Sequence, residues 1–203
     1  MKKKSIEDEF DTQCWLNDII PDPYKVITEL FASSECWHLR SVIKKLLRYT
    51  ISAKIYPDKP PCDVILYMRM ISSTIRAAYI LKDKKRSEIV IDEDDLLNKK
   101  YYRSHYTCCD NWTDFPRFLS KKEYCNPYLV FRKFFKYQSL ENWLNTWRNI
   151  IDGALCPDES RFFINEILVY THLVKLIEAA HLIDVREIVQ VRGRLKNRVA
   201  ENC

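Results

Sequence analysis

Apolar positions fall into two similar series along this chain, one in each half. In the second half, Leu140, Trp143, Leu144, Trp147, Ile150, Ile151 and Leu155 recur at spacings of three and four, lining one face of an α-helix. Ser139 stands before them as an N-cap residue. Shifted back by 104 positions, the same face reads Cys36, Leu39, Ile43, Leu46, Leu47 and Ile51. Arg40 alone breaks the match, opposite Leu144. Both predicted helices stop at proline loops, Tyr56-Pro57-Asp58 and Cys156-Pro157-Asp158.

A further helix follows in each half. Val64, Tyr67, Met68, Ile71, Ile75, Ala78 and Tyr79 form one stripe; at an offset of 102 stand Glu166, Val169, Tyr170, Leu173, Ile177, Ala180 and His181. Ile75-Arg76-Ala77-Ala78-Tyr79 aligns with Ile177-Glu178-Ala179-Ala180-His181. Upstream, Asp22-Pro23-Tyr24-Lys25-Val26 resembles Asn126-Pro127-Tyr128-Leu129-Val130, and Phe31 matches Phe135. Each start joins a capping residue to a proline suited to a first helical turn. Periodicity explains the stripes but not these starts or the paired alanines. The pattern therefore predicts an internal duplication within a single domain, residues 1–203. Repeat 1 covers about 22–83, an insert 84–125, repeat 2 126–185 and a basic C-terminal helix 186–203. The expected fold is an all-α bundle of two pseudo-repeated helical hairpins with a mixed irregular insert.

Outside the repeats the signals are shorter. Ile6, Phe10, Trp15, Leu16 and Ile19 predict a short helix ending before Pro21. In the insert, Glu88-Ile89-Val90-Ile91 reads as a short strand and Asp92 to Tyr106 as an acid-capped helix. Thr107 to Cys125 is aromatic and cysteine-rich with little period.

Composition agrees with helices. Of 203 residues, 47% are hydrophobic and 30% charged, a globular balance, and only Gly153 and Gly193 are glycine. The N-terminus turns from Met-Lys-Lys-Lys to acids where a signal peptide would be apolar, and no stretch approaches the ~18 uninterrupted apolar residues of a membrane span. With eight irregularly spaced cysteines and no secretory signal, the expectation is reduced thiols in the cytoplasm and no membrane association.

Four constellations invite a chemical reading. The first surrounds the paired alanines. Arg76 and Glu178 are aligned with opposite charge, and Tyr79 and His181 are aligned and both able to hydrogen bond, so an Arg76–Glu178 pair is expected near a pseudo-two-fold axis. The second is His105, Cys108, Cys109 and Cys125, a weak metal set because the second close pair of a zinc site is missing. The third is His172 with His181; their separation of nine residues turns them to opposite sides of a helix, and neither has a defined catalytic partner. The fourth is the basic tail Arg186, Arg192, Arg194, Lys196 and Arg198, with Arg132, Lys133 and Lys136 at the start of repeat 2, a set able to contact phosphates. A net charge of +5 is too modest to require a nucleic acid. Two isolated glycines build no phosphate loop, and Gly-x-Ser-x-Gly and His-Glu-x-x-His are absent. No cofactor is expected. The leading expectation is a non-enzymatic interaction or regulatory protein with a protein partner. The alternatives are a nucleic-acid-binding accessory protein using the basic tail, and an enzyme with a site at the axis.

Overall fold

The computed structural model describes residues 22–52, 54–57, 60–86, 88–104, 112–156, 165–191 and 194–197. The predicted N-terminal helix over Ile6 to Ile19 lies outside the described residues. The chain is all-α in its main architecture. Helices α1 (Pro23–Ser33), α2 (Cys36–Thr50) and α3 (Pro61–Leu81) come from the first half. After the insert come a short α4 (Lys121–Cys125), then α5 (Tyr128–Tyr137), α6 (Leu140–Leu155) and α7 (Glu166–Glu187).

Local chemistry sets the helix starts. Asp22 caps α1 by accepting from the Tyr24 amide at 3.0 Å, with Pro23 in the first turn. Ser139 caps α6 in the predicted way, through the Asn142 amide. At α5 the capping residue behaves differently. The helix begins at Tyr128, and the Asn126 side-chain oxygen is buried without a hydrogen-bond partner.

Most positions of the predicted stripes form or flank the core; Ile51 does not, standing just past the end of α2 and 46% exposed. Leu39, Ile43 and Leu46 of α2 and Trp143, Trp147 and Ile150 of α6 are completely buried, as are Ile71, Ile75, Ala77 and Ala78 of α3 and Leu173, Ile177, Ala179 and Ala180 of α7. They belong to one continuous cluster. Truncating a buried leucine in such a core costs about 2–5 kcal/mol. The helices alternate between halves: α2 packs on α6 and α7, α3 on α1, α6, α7 and α5, and α7 also on α1 and α5. Exchanging α1 with α5, α2 with α6 and α3 with α7 carries each of these pairs onto another or onto itself. Trp147 Nε1 donates to the Met68 carbonyl at 3.0 Å, tying α6 to α3. At the C-terminal ends of α2 and α6 the backbones approach closely. Thr50 Oγ1 donates to Ile150 O at 2.8 Å, and a Cβ on Gly153 would stand 2.8 Å from the Thr50 methyl carbon.

Within α3, Cys62–Leu81 is long and apolar enough to cross a membrane by length and composition, at a mean hydropathy of 1.3, yet more than half of it is buried inside the protein.

Three expectations are corrected. Glu88–Ile91 is not a strand, and the described part of Asp92 to Tyr106 holds two single 3₁₀ turns, Glu93–Asp95 and Lys99–Tyr101, instead of one helix. The acids from Asp92 to Asp95 favour a helical first turn, but no apolar stripe follows to carry it on. The basic C-terminal helix is also absent in its described part. α7 stops at Glu187, and Ile188–Val191 (β1) pairs antiparallel with Arg194–Asn197 (β2), Val191 opposite Arg194. Ile188, Val189 and Val191 are β-branched, which favours strand over helix.

Candidate functional site

The largest collection of buried charge lies on α7. From Leu173 onward this helix is buried almost all round, because the bundle covers one side and the insert covers the other. Apart from the partly exposed Lys175, its polar residues there have no face open to water. Glu178, His181, Asp184, Arg186 and Glu187 are all buried.

Glu178 is completely enclosed. One oxygen accepts from Arg40 Nη1 at 2.7 Å and from the Arg117 amide at 2.8 Å; the other accepts from the Phe118 amide at 3.0 Å. Arg40 in turn donates to the carbonyls of Phe115, at 3.0 Å, and Thr113. The ion pair thus grips both polarities of one backbone segment: the cation takes its carbonyls and the anion its amides. The arrangement neutralises two charges that would each be costly to bury alone. The counter-ion of Glu178 is therefore Arg40, where the alignment had pointed to Arg76. Arg76 is half-buried on α3.

His181 hydrogen bonds through Nε2 to the Tyr102 carbonyl at 2.8 Å, so that nitrogen carries the proton. Its Nδ1 is buried without a partner, and the edge of Phe31 packs on the ring at 5.0 Å. Burial depresses its pKa, with Arg40 and Arg186 adding to the effect against Asp114 and the Tyr102 bond, which keeps the imidazole neutral. Nearby, burial pushes the Cys36 thiol far up, opposed by Arg40 and helped by Glu178 and Asp114, so Cys36 stays a protonated, unreactive thiol.

Further along, Arg186 donates from Nε to Tyr101 O at 2.7 Å and from Nη1 to Tyr124 O, with its guanidinium 4.3 Å over the Tyr124 ring. Glu187 accepts from Tyr128 OH at 2.7 Å, which also contacts Tyr24 OH at 3.1 Å. Arg86 completes this group, 3.5 Å from the Glu187 carboxylate. Burial raises the Glu187 pKa, opposed by Tyr128, Arg86 and Arg186. Tyr24 and Tyr128 are the matched tyrosines of the two helix starts, and they meet.

A further buried carboxylate, Glu123, caps α4 from inside a capping box with Ser120 and receives Lys133 and Lys175, each at 2.8 Å. Burial alone would raise it, but the two lysines and the Ser120 amide outweigh burial and hold its pKa down at about 2.

The sequence had marked Glu178 and His181, and the structure places both in this cluster, one turn apart. It does not bring Tyr79 to them. Tyr79 packs at 5.1 Å on Phe135, beneath Lys82 Nζ at 3.7 Å. His172 lies in a different setting, stacked 4.5 Å from Tyr137 and edge-on to Phe134 and Trp143, with a pKa lowered by burial and by Lys175. Of the tail residues, Arg186 is inside the protein and unavailable to a phosphate. Arg194 and Lys196 belong to β2, while Arg192 and Arg198 lie outside the described residues. His105, Cys108 and Cys109 also lie outside them, and Cys125 is buried on α4. Among the described residues no group of three or more His, Cys, Asp or Glu is placed to hold a metal.

Sequence reasoning missed Arg40, Asp114 and Glu123 as members of buried polar groups. Arg40 had a signal: it is the one charge in an otherwise apolar stripe. What these groups do chemically is hold the insert. Arg40, Glu178, His181 and Arg186 bond its backbone at Tyr101, Tyr102, Thr113, Phe115, Arg117, Phe118 and Tyr124. A small apolar cluster of Ile91, Tyr102, Tyr124, Cys125 and Leu182 adds to the seal. No known protein family, curated protein or solved structure matches the chain.

Proposed function

We propose that this chain is a non-enzymatic interaction protein that binds a protein partner through a helical surface at the start of α7. The observation that carries this reading is the exposure of Ile167 and Leu168, 78% and 41%, in the first turn of a helix that is otherwise the most buried in the molecule. One turn on, Tyr170 packs against Phe118 at 5.6 Å, and Phe118 is itself 36% exposed. The two aliphatics and this aromatic pair join the insert to the helix as one apolar surface; grouped exposure of this kind marks contact sites more often than isolated apolar residues do. The buried charges support the same reading from the other side. Their hydrogen bonds go to the insert backbone, so they act as structure, and they position Phe118 beside α7 through the hydrogen bond that its backbone N–H donates to Glu178.

The alternation of α1 to α3 with α5 to α7, and the Tyr24–Tyr128 contact, support the inference that the two halves are diverged copies of one helical unit. The cytoplasm suits the free thiols of Cys36, Cys62, Cys125 and Cys156.

Site-specific photo-crosslinking in the producing cell tests the interaction reading. A crosslinker at Ile167 is expected to give one discrete protein adduct that a crosslinker at the exposed Asn145 of α6 does not give, and Leu168→Asp is expected to abolish it. Equal labelling from both positions, or none from Ile167, overturns the reading.

A further inference from the structure

Two basic segments, about fifty residues apart in sequence, are fastened together on a different part of the surface. Arg132 on α5 donates from Nε to the Lys82 carbonyl at 2.9 Å and from Nη2 to the Lys84 carbonyl at 3.3 Å. These bonds dock the turn after α3 onto the outer face of α5. They bring Lys82, Lys84 and Lys85 beside Arg132 and Lys136, which lie one helical turn apart. Lys84, Lys85, Arg132 and Lys136 are exposed.

Some cations elsewhere are paired, while others, among them Lys44, Arg48 and Arg148, are exposed without a carboxylate partner among the described residues; what sets this region apart is that two basic segments are fastened together. Lys100 is paired with Asp95, Lys121 with Glu93, Lys133 and Lys175 with Glu123, and Arg86 with Glu187. Among the described residues no carboxylate pairs with Lys82, Lys84, Lys85, Arg132 or Lys136. The only acid in the turn is Asp83. Like charges on neighbouring segments repel one another, and Arg132 nevertheless fastens the two segments together through the Lys82 and Lys84 carbonyls. A polyanion would relieve that repulsion.

We propose that the Lys82–Lys85 turn and the outer face of α5 form a binding surface for the phosphate backbone of single-stranded nucleic acid. Two features favour this partner over an anionic membrane. First, aromatic rings lie among the cations: Tyr79 and Phe135 form a half-buried pair between the two basic segments, and Tyr137, 41% exposed, follows Lys136. Exposed aromatic edges beside a basic track suit unpaired bases. Second, the turn and α5 expose no large aliphatic side chain that would enter a bilayer. The proposal is independent of the apolar surface at α7, and Leu168→Asp leaves it untouched.

Fluorescence anisotropy with a labelled oligothymidylate of about twenty nucleotides tests it. Binding is expected, with affinity falling as salt rises at a log–log slope of about −3, for roughly four phosphates contacted on a single strand. Lys84→Glu/Lys85→Glu/Lys136→Glu is expected to weaken binding more than 10-fold at about 50 mM salt and to flatten that slope. The milder Lys84→Gln/Lys85→Gln is expected to remove part of the slope with the thermal midpoint unchanged. Lys44→Glu/Arg48→Glu/Arg148→Glu, which makes the same charge change at exposed positions on α2 and α6, is expected to bind like the parent. The proposal is overturned by salt-insensitive or undetectable binding, or by an equal loss in that control. It is also overturned if phosphatidylserine vesicles bind as well as the oligonucleotide or polyglutamate competes as well as unlabelled strand.

Discussion

The guanidinium of Arg40 and the carboxylate of Glu178 meet at 2.7 Å, and each stands where its half of the chain departs from the other. Leu144 is aligned with Arg40, and Arg76 with Glu178. Two departures from the repeated pattern thus meet each other, and between them they hold the segment Thr113–Phe118 against the bundle.

Replacing one member of this pair leaves the other charged and buried. Arg40→Leu, the residue at the aligned position, is expected to destabilise the protein by about 3–5 kcal/mol in urea unfolding. Glu178→Leu in the same background is expected to recover part of that loss, giving a coupling energy of at least about 2 kcal/mol. Additive losses would show that the pair is not coupled.

Acid is expected to weaken the protein through Glu123. Its carboxyl has an ordinary pKa of 4.5 and a folded value of about 2. The folded state therefore resists protonation, and the stability this carboxylate supplies is complete above pH 4.5 and lost as pH falls toward 2. The difference in urea midpoint between the parent and Glu123→Gln is expected to be large at pH 6 and to shrink through that window. Its size is about 2 kcal/mol, after allowing for the water around the exposed Lys133. A constant difference across the window would contradict the assignment.

At Gly153 two opposing effects are separable. Alanine improves helix propensity by about 0.5–1 kcal/mol, but its Cβ would press on the Thr50 methyl, and overpacking costs about 1–3 kcal/mol. Gly153→Ala is expected to lower the thermal midpoint on its own. In a Thr50→Ser background, which keeps the hydroxyl and removes the methyl, it is expected to raise it. The same sign in both backgrounds would rule out this contact as the cause.

Tyr24 and Tyr128 are aligned and touch, yet they are not equivalent. Tyr128 OH donates to the buried Glu187, and Tyr24 is only half-buried. Tyr128→Phe is therefore expected to cost about 1–3 kcal/mol, because it removes the donor from a buried carboxylate. Tyr24→Phe is expected to cost less than about 1 kcal/mol in the same unfolding measurement. Equal losses would argue against the bond to Glu187.

The helical core was legible because it is periodic. Leu39 with Trp143, Ile43 with Trp147 and Ile75 with Ile177 were matched from spacing, and all six are buried in the bundle. The insert was illegible for a physical reason. Its backbone is held by side chains from α2 and α7, 60 or more residues away in several bonds, and distant partners leave no local period. The charge of Arg40 inside an apolar stripe was a visible departure, but its partner was not, because the alignment directed attention to Arg76. At the C-terminus a signal was available and outweighed. Ile188, Val189 and Val191 are β-branched, and Gly193 offered a turn before Arg194, yet the basic residues read as a terminal helix.

The central claim is that buried charges on α2 and α7 serve to hold the insert. Hydrogen–deuterium exchange of the parent and Arg40→Leu tests it most directly. The account predicts that amides around Arg117 and Phe118 lose protection in the variant while those of α3 and α6 keep theirs. Unchanged protection around Phe118, or an equal loss throughout the bundle, would contradict it.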